Sequence, residues 1–271
     1  TKKVEPVTGQ DKTDIENAIK ASAVIEMVAE DPVAKDKLGD ATKGFKKAVD
    51  DLKTQKIADI TEDLVHVYIP GKHYKTGVLY PKGSHLAPHV ADAMVWMLDQ
   101  NGIKADIAII NAGGIGKDLM KGDLTVGDVY EVCPYGNTLI TLALSGQEVK
   151  DQILQAVQNA HEDQYAGKRF PYVSGLRYTA DMTQAVGQEI TTIEVKDATG
   201  TWKAIDLTAT YSVVTLSFLA VGGDKYDVFK SASGQRSDTG FVDAEAFMAY
   251  ATTKTSVKQP VDTGVTYIPK P

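Results

Sequence analysis

Three glycine-rich or turn-forming clusters carry the residues that could do chemistry: NAGGIG (111–116), PYGN (134–137) and TLSFLAVGGDKY (215–226). Glycines such as Gly113 and Gly114 let backbone N–H groups approach a ligand that a side chain would hold off. Tyr135 and Phe218 lie beside two of these turns on separate segments. Two such rings can grip a flat heterocycle between their faces, and base stacking of this kind contributes about 1–3 kcal/mol per ring. Core packing is the alternative for either ring, because aromatics are buried more often than they serve as platforms.

Other chemistries find little to work with. GGD (222–224) is not a P-loop, which needs G-x-x-x-x-G-K-(S/T), and no G-x-G-x-x-G follows a strand. No G-x-S-x-G elbow presents a serine nucleophile. His85 and His89 stand four apart, a spacing that can put two imidazoles on one helix face. Pro88 lies between them, so the helix is expected to begin there, and no carboxylate completes a metal site. His66, His73 and His161 lack partners at ligand spacing. Cys133 is the single cysteine, which excludes an intrachain disulfide and a cysteine-based zinc cluster. Binding, not catalysis, is what the residues support.

The elements that must position these groups are read from periodicity. Apolar residues at three- and four-residue spacing over 11–29 predict an amphipathic helix, Asp31-Pro32 breaks it, and a second charged helix runs from about Pro32 to Lys53. Beyond Ile60 strands alternate with helices. Strands are expected over 57–70, 105–114, 191–197 and 210–218, with polar/apolar alternation within 127–146. Helices are expected over 85–102, over 145–160 with Ser145 and Glu148 as a capping box, and over 241–253. The tail VKQPVDTGVTYIP reads as an added edge strand. Such an order predicts an α/β or α+β layered domain.

Composition sets the outer limits. The 271 residues are 43% hydrophobic and 24% charged, with no apolar run near the roughly 18 residues of a membrane helix. A net charge of -7 and a pI of about 5.3 argue against a nucleic-acid groove. TKKVEPVTGQ has no apolar h-region, so a secretory signal is expected to be absent or removed.

The three clusters, in this order, resemble the C-terminal substrate-binding domain of the 5'-nucleotidase/UDP-sugar hydrolase family. Its pattern reads roughly N-x-G-G-I-R, then P-F-G-N, then N-F-x-A-x-G-G-D-G-(Y/F). The resemblance covers roughly residues 31 to 250. It implies a four-layer α/β/β/α sandwich over 59–271, preceded over 1–58 by helices that link it to another domain. It further implies that Tyr135 and Phe218 clamp a purine or pyrimidine, that Asp224 accepts from ribose hydroxyls, and that Asn111 donates and accepts near the sugar or base. Where the family has a phosphate-contacting arginine this chain has Gly116, with Lys117 next, and Lys82 falls at a second arginine position. Lysine keeps the charge but loses the bidentate fork. A nucleoside is therefore expected to bind within about tenfold of its 5'-monophosphate.

The family hydrolyses phosphate esters with two divalent metals held in an N-terminal metallophosphatase domain. None of its D-x-H or G-N-H-(D/E) motifs occurs here. The resemblance thus implies the nucleoside- or nucleotide-binding domain of a periplasmic or extracellular phosphoesterase, inactive by itself, with a small-molecule ligand and the metallophosphatase domain as its partner. A free-standing, non-catalytic nucleoside-binding protein is the alternative.

Overall fold

The computed structural model describes residues 46, 47, 49–162, 166–197 and 199–271. The expected helix over 11–29 and most of the second lie outside them. Residues 46, 47 and 49–53 are helical. Contacts divide the chain at 54/55, a few residues before the expected boundary, because the strand at 56–60 pairs within the larger body.

The larger body is built on two mixed sheets. The first has five strands in the order β12(Arg236–Val242), β6(Thr138–Ser145), β11(Thr210–Leu216), β4(Ile107–Asn111), β7(Pro171–Ser174), with only β11 and β4 parallel. The second has four, β10(Trp202–Ala204), β9(Ile190–Lys196), β8(Leu176–Asp181), β14(Val265–Ile268). β14 lies parallel to β8 at its edge, as expected of the tail. A smaller sheet joins β13(Ser256–Val257), β1(Lys56–Ile60) and β5(Gly122–Thr125), and β2(Gly71–Lys72) pairs with β3(Leu79–Tyr80) as a hairpin. Helix α1(Ala87–Gln100) packs on β4 and β7 and against α6(Asp243–Thr252), while α3(Gly146–Asn159) packs on β6 and reaches β9. This is the layered α/β/β/α arrangement, and its apolar residues form one continuous core.

Local chemistry explains where elements start. Ser145 Oγ accepts from Glu148 N–H at 3.2 Å while Glu148 Oε2 accepts from Ser145 N–H at 2.7 Å, the reciprocal cap expected for α3. Thr125 and Asp128 form the same box at the start of α2(Val126–Val132). Within 127–146 the alternating residues form strand only after the turn, over 138–145, because the box satisfies the amides ahead of it and starts a helix first. β7 and β8, fused in sequence as FPYVSGLRYTAD, were not anticipated; the turn at Gly175, with φ 70°, divides one apolar run between two sheets. Every core position of β4 is buried, which fits a strand covered on both faces.

Candidate functional site

β4 delivers Asn111 to the end of the five-stranded sheet, and the chain turns at once into a single 3-10 turn, Ala112–Gly114. β11, its parallel neighbour, delivers the short helix α4(Ser217–Ala220) and then the 3-10 turn Gly223–Lys225 at the same end. The two loops meet through one hydrogen bond: Asn111 Nδ2 donates to Asp224 Oδ2 at 2.6 Å, across 113 residues of sequence. Asn111 is only 3% exposed, and its Oδ1 is buried without a partner. A buried acceptor left unpaired costs about 1–3 kcal/mol.

Asn137 ties the aromatic loops together. Its Oδ1 accepts from the Phe218 backbone N–H at 3.3 Å and from Ser217 Oγ at 3.4 Å, and its Nδ2 donates to Asp243 Oδ2 at 3.3 Å. Burial raises the Asp243 pKa, partly offset by hydrogen bonds from Ala244 N–H and Asn137 Nδ2. One buried amide thus fixes the segment of Phe218 to the loop of Tyr135. Asn137 stood in the PYGN cluster, but its role depends on partners 80 to 106 residues away and could not be read from spacing.

The rings themselves face outward. Tyr135 is 65% exposed and Phe218 47%, and neither stacks on another ring among the described residues. Phe218 lies flat on Gly223, where a Cβ would come within 2.5 Å of the ring. Asp224 and Lys225 both have left-handed backbone, φ 54° and 60°. Aspartate tolerates that region; lysine does so at about 1–2 kcal/mol, and the family pattern has glycine at this position. Strain of this kind persists where the surroundings enforce it. Here Lys225 Nζ is held by Glu162.

The cations divide sharply. A Cβ on Gly116 would lie 2.2 Å from the Glu131 carbonyl oxygen, while Gly116 N–H donates to Val132 O at 2.8 Å. Position 116 therefore requires glycine with this backbone, so an arginine cannot simply be restored there. Lys117 is spent on Asp128 at 2.9 Å and Glu131 at 2.7 Å. Lys82 is exposed on the loop before α1, its carbonyl accepting from Thr263 Oγ1, and no contact ties its side chain to the clamp.

The histidines have structural employment. His89 Nε2 donates to Lys258 O at 2.7 Å, and His85 meets the edge of Tyr80. Among the described residues no three His, Cys, Asp or Glu converge to hold a metal ion. His66 is buried beneath the Asn111 loop. Ser84 Oγ accepts from the N–H groups of Leu86 and Ala87, which leaves its proton for His66 Nδ1 at 2.8 Å and puts the imidazole proton on Nε2. Nε2 faces the Ala112 backbone but makes no hydrogen bond of ordinary geometry. Burial lowers the His66 pKa to about 3, so the ring is neutral at physiological pH.

A groove of about 510 Å³ lies elsewhere, lined by Asp59, Lys121, Asp123 and Ser256 among others, and includes none of the residues above. No described helix is long and apolar enough to cross a membrane.

Comparison with known proteins accounts for this arrangement. Residues 73–231 match the family described as 5'-nucleotidase, C-terminal domain. The chain is 34% identical over 224 residues to the trifunctional nucleotide phosphoesterase protein YfkN of Bacillus subtilis, covering 82% of this chain and 14% of that protein. It is 35% identical over 177 residues to the NAD 5'-nucleotidase of Haemophilus influenzae, covering 63% of this chain and 28% of that one. The crystal structure of a 5'-nucleotidase precursor from Thermus thermophilus superposes with a TM-score of 0.71 at 36% identity, over 86% of this chain and 43% of the other. This chain spans less than half the length of each of these relatives. With its three clusters gathered at one end of the sheet and the match extending over more than half of its residues, the chain belongs to the 5'-nucleotidase C-terminal domain family.

Proposed function

We propose that this domain holds the nucleoside part of a nucleoside or nucleotide while a metallophosphatase domain, on the remainder of a longer exported phosphoesterase, cleaves the phosphate ester with two divalent metals. The observation that carries the reading is the pair of exposed, unstacked rings, Tyr135 and Phe218, fixed to each other through Asn137. An aromatic this exposed contributes little to folding; Tyr135 is open to solvent, and Phe218, with one face on Gly223, keeps its exposed surface for stacking. Beside the rings, the Asn111–Asp224 pair offers a carboxylate for vicinal hydroxyls, held in place by the buried Asn111 amide. Gly113 and Gly114 let the turn pack on the Asn111 amide, where a Cβ would come within 3.2 and 3.0 Å of its Nδ2 and Oδ1.

Division of labour of this type uses binding energy at a remote part of the substrate to position the reacting centre. The relatives' printed activities, nucleotide phosphoesterase and NAD 5'-nucleotidase, support a nucleotide substrate. Calorimetric titration of the chain with adenosine and uridine tests the reading: saturable binding lost on Asp224→Ala is expected, and no heat with any nucleoside or nucleotide would overturn it. The isolated chain is expected to release no phosphate from AMP with added zinc, manganese or cobalt. Chelator-sensitive turnover above the reagent blank would refute that. A free-standing binding role predicts the same titrations, and the coding sequence upstream of Thr1 separates the two.

A further inference from the structure

A third turn stands at the site, and no glycine cluster announced it. The single 3-10 turn Ala166–Arg169 lies against both loops described above. Ala112 N–H donates to Phe170 O at 2.8 Å, and Tyr226 Oη donates to Arg169 O at 2.8 Å. At Gly113 the approach is closest: a Cβ there would sit 2.8 Å from Lys168 Cβ and 3.2 Å from Lys168 O. The Lys168 backbone is thus packed on the glycine cradle next to Asn111.

The charge of Lys168 is open where its neighbours' charges are closed. Lys117 is paired with Asp128 and Glu131, and Lys225 and Arg169 are both paired with Glu162. Lys168 is exposed and makes no ion pair with a carboxylate among the described residues. Its Nζ instead rests 5.9 Å above the centre of the Tyr68 ring, which is itself stacked on Tyr74 with centroids 5.3 Å apart and planes 9° from parallel. Tyr68 is close enough to the clamp for Tyr135, after burial and Tyr74, to raise the Tyr68 hydroxyl pKa. A cation held only by a ring face exchanges that contact for an anion without first breaking a salt bridge.

We propose that Lys168 contacts the phosphate of a bound nucleotide, the task that position 116 cannot perform because no side chain fits there. The proposal rests on the nucleoside-binding reading of the same site. An exposed lysine gives one flexible, screened contact, so its effect is modest: about fivefold in affinity.

Calorimetric titrations of the wild type, Lys168→Ala and Lys168→Arg with adenosine, adenosine 5'-monophosphate and inorganic phosphate test it. The wild type is expected to bind the monophosphate about fivefold more tightly than adenosine, a preference that shrinks in high salt. Lys168→Ala is expected to abolish the preference and leave adenosine affinity and melting temperature unchanged, while Lys168→Arg retains it. A preference unchanged in Lys168→Ala, equal wild-type affinity for the two ligands, or equal loss of both in the alanine variant would overturn the assignment. Inorganic phosphate binding as tightly as the monophosphate would make this a free anion site and overturn it too. Failure of the wild type to bind adenosine at all would refute the nucleoside reading, and this proposal with it.

Discussion

Two sets of aromatic residues lie within a few residues of the same loops and have opposite fates. Phe170, Tyr172, Tyr226 and Phe229 are completely buried, whereas Tyr135 presents 65% and Phe218 47% of its surface to solvent. The buried rings serve as a floor. Tyr172 Oη donates to Val67 O at 2.8 Å and accepts from Ser84 N–H at 2.9 Å, and Tyr226 Oη caps the carbonyl of Arg169. Each satisfied hydroxyl pins a loop that carries site residues or abuts them. Among the described residues neither exposed ring stacks on another ring or makes such a hydroxyl bond, so their exposed surface remains available. A binding cleft needs both: loops held rigidly from below and apolar surface kept unspent above.

The largest test of this contrast is truncation of the floor. Phe229→Ala should cost about 3–5 kcal/mol of folding stability, read from denaturant midpoints at constant slope. A cost under about 1 kcal/mol would mean the floor is not rigid core.

Acid attacks the floor next. The His66 pKa is lowered by burial from 6.5 to about 3, so the folded state resists protonation that the unfolded state accepts. His85, His89 and His161 are lowered too, in each case chiefly by burial. Stability is therefore full above about pH 6.5 and falls as the pH drops from there towards 3, by a few kcal/mol for His66 alone. Melting temperatures from pH 7.5 to 4 should show this decline, with a shallower slope in His66→Gln. A flat profile would remove the neutral imidazole from the account.

The walls should answer differently. Tyr135→Ala or Phe218→Ala is expected to weaken nucleoside binding by about 1–3 kcal/mol with the melting temperature nearly unchanged. A large stability loss without a selective binding loss would assign these rings to the core after all. Gly116→Ala, where a Cβ would meet Glu131 O at 2.2 Å, should instead cost about 1–3 kcal/mol of stability, which separates a steric glycine from a vacant phosphate contact. The smallest effect is expected at Lys225. Its φ of 60° favours glycine, so Lys225→Gly should stabilise by about 1 kcal/mol, less whatever the Glu162 pair contributes.

Much of the architecture was legible because it is written locally. The capping box at Ser145 needs only residues three apart, the period of 87–100 needs only its own helix, and the glycine clusters stand as short contiguous words. β7 and β8 were not legible, since a single apolar run gave no sign that its halves join different sheets. Of the candidate site residues, Asn111 and Asp224 come together directly, Phe218 is tied to the Tyr135 loop by Asn137, and Lys82 stands apart.

The sequence by itself determined which residue types stand at the loops and in what order, and so the family and the class of ligand to test. Only the tertiary structure decided which of those groups are free to act. Exposure and charge pairing are properties of neighbours distant in the chain: Asp224 meets Asn111 across 113 residues, and Lys117 is neutralised by a helix that begins with its own cap. The same holds for the turn at 166–169, which has no motif of its own. It stands at the site because Phe170 and Tyr226 are buried beneath it, and burial is settled by the packing of the whole core.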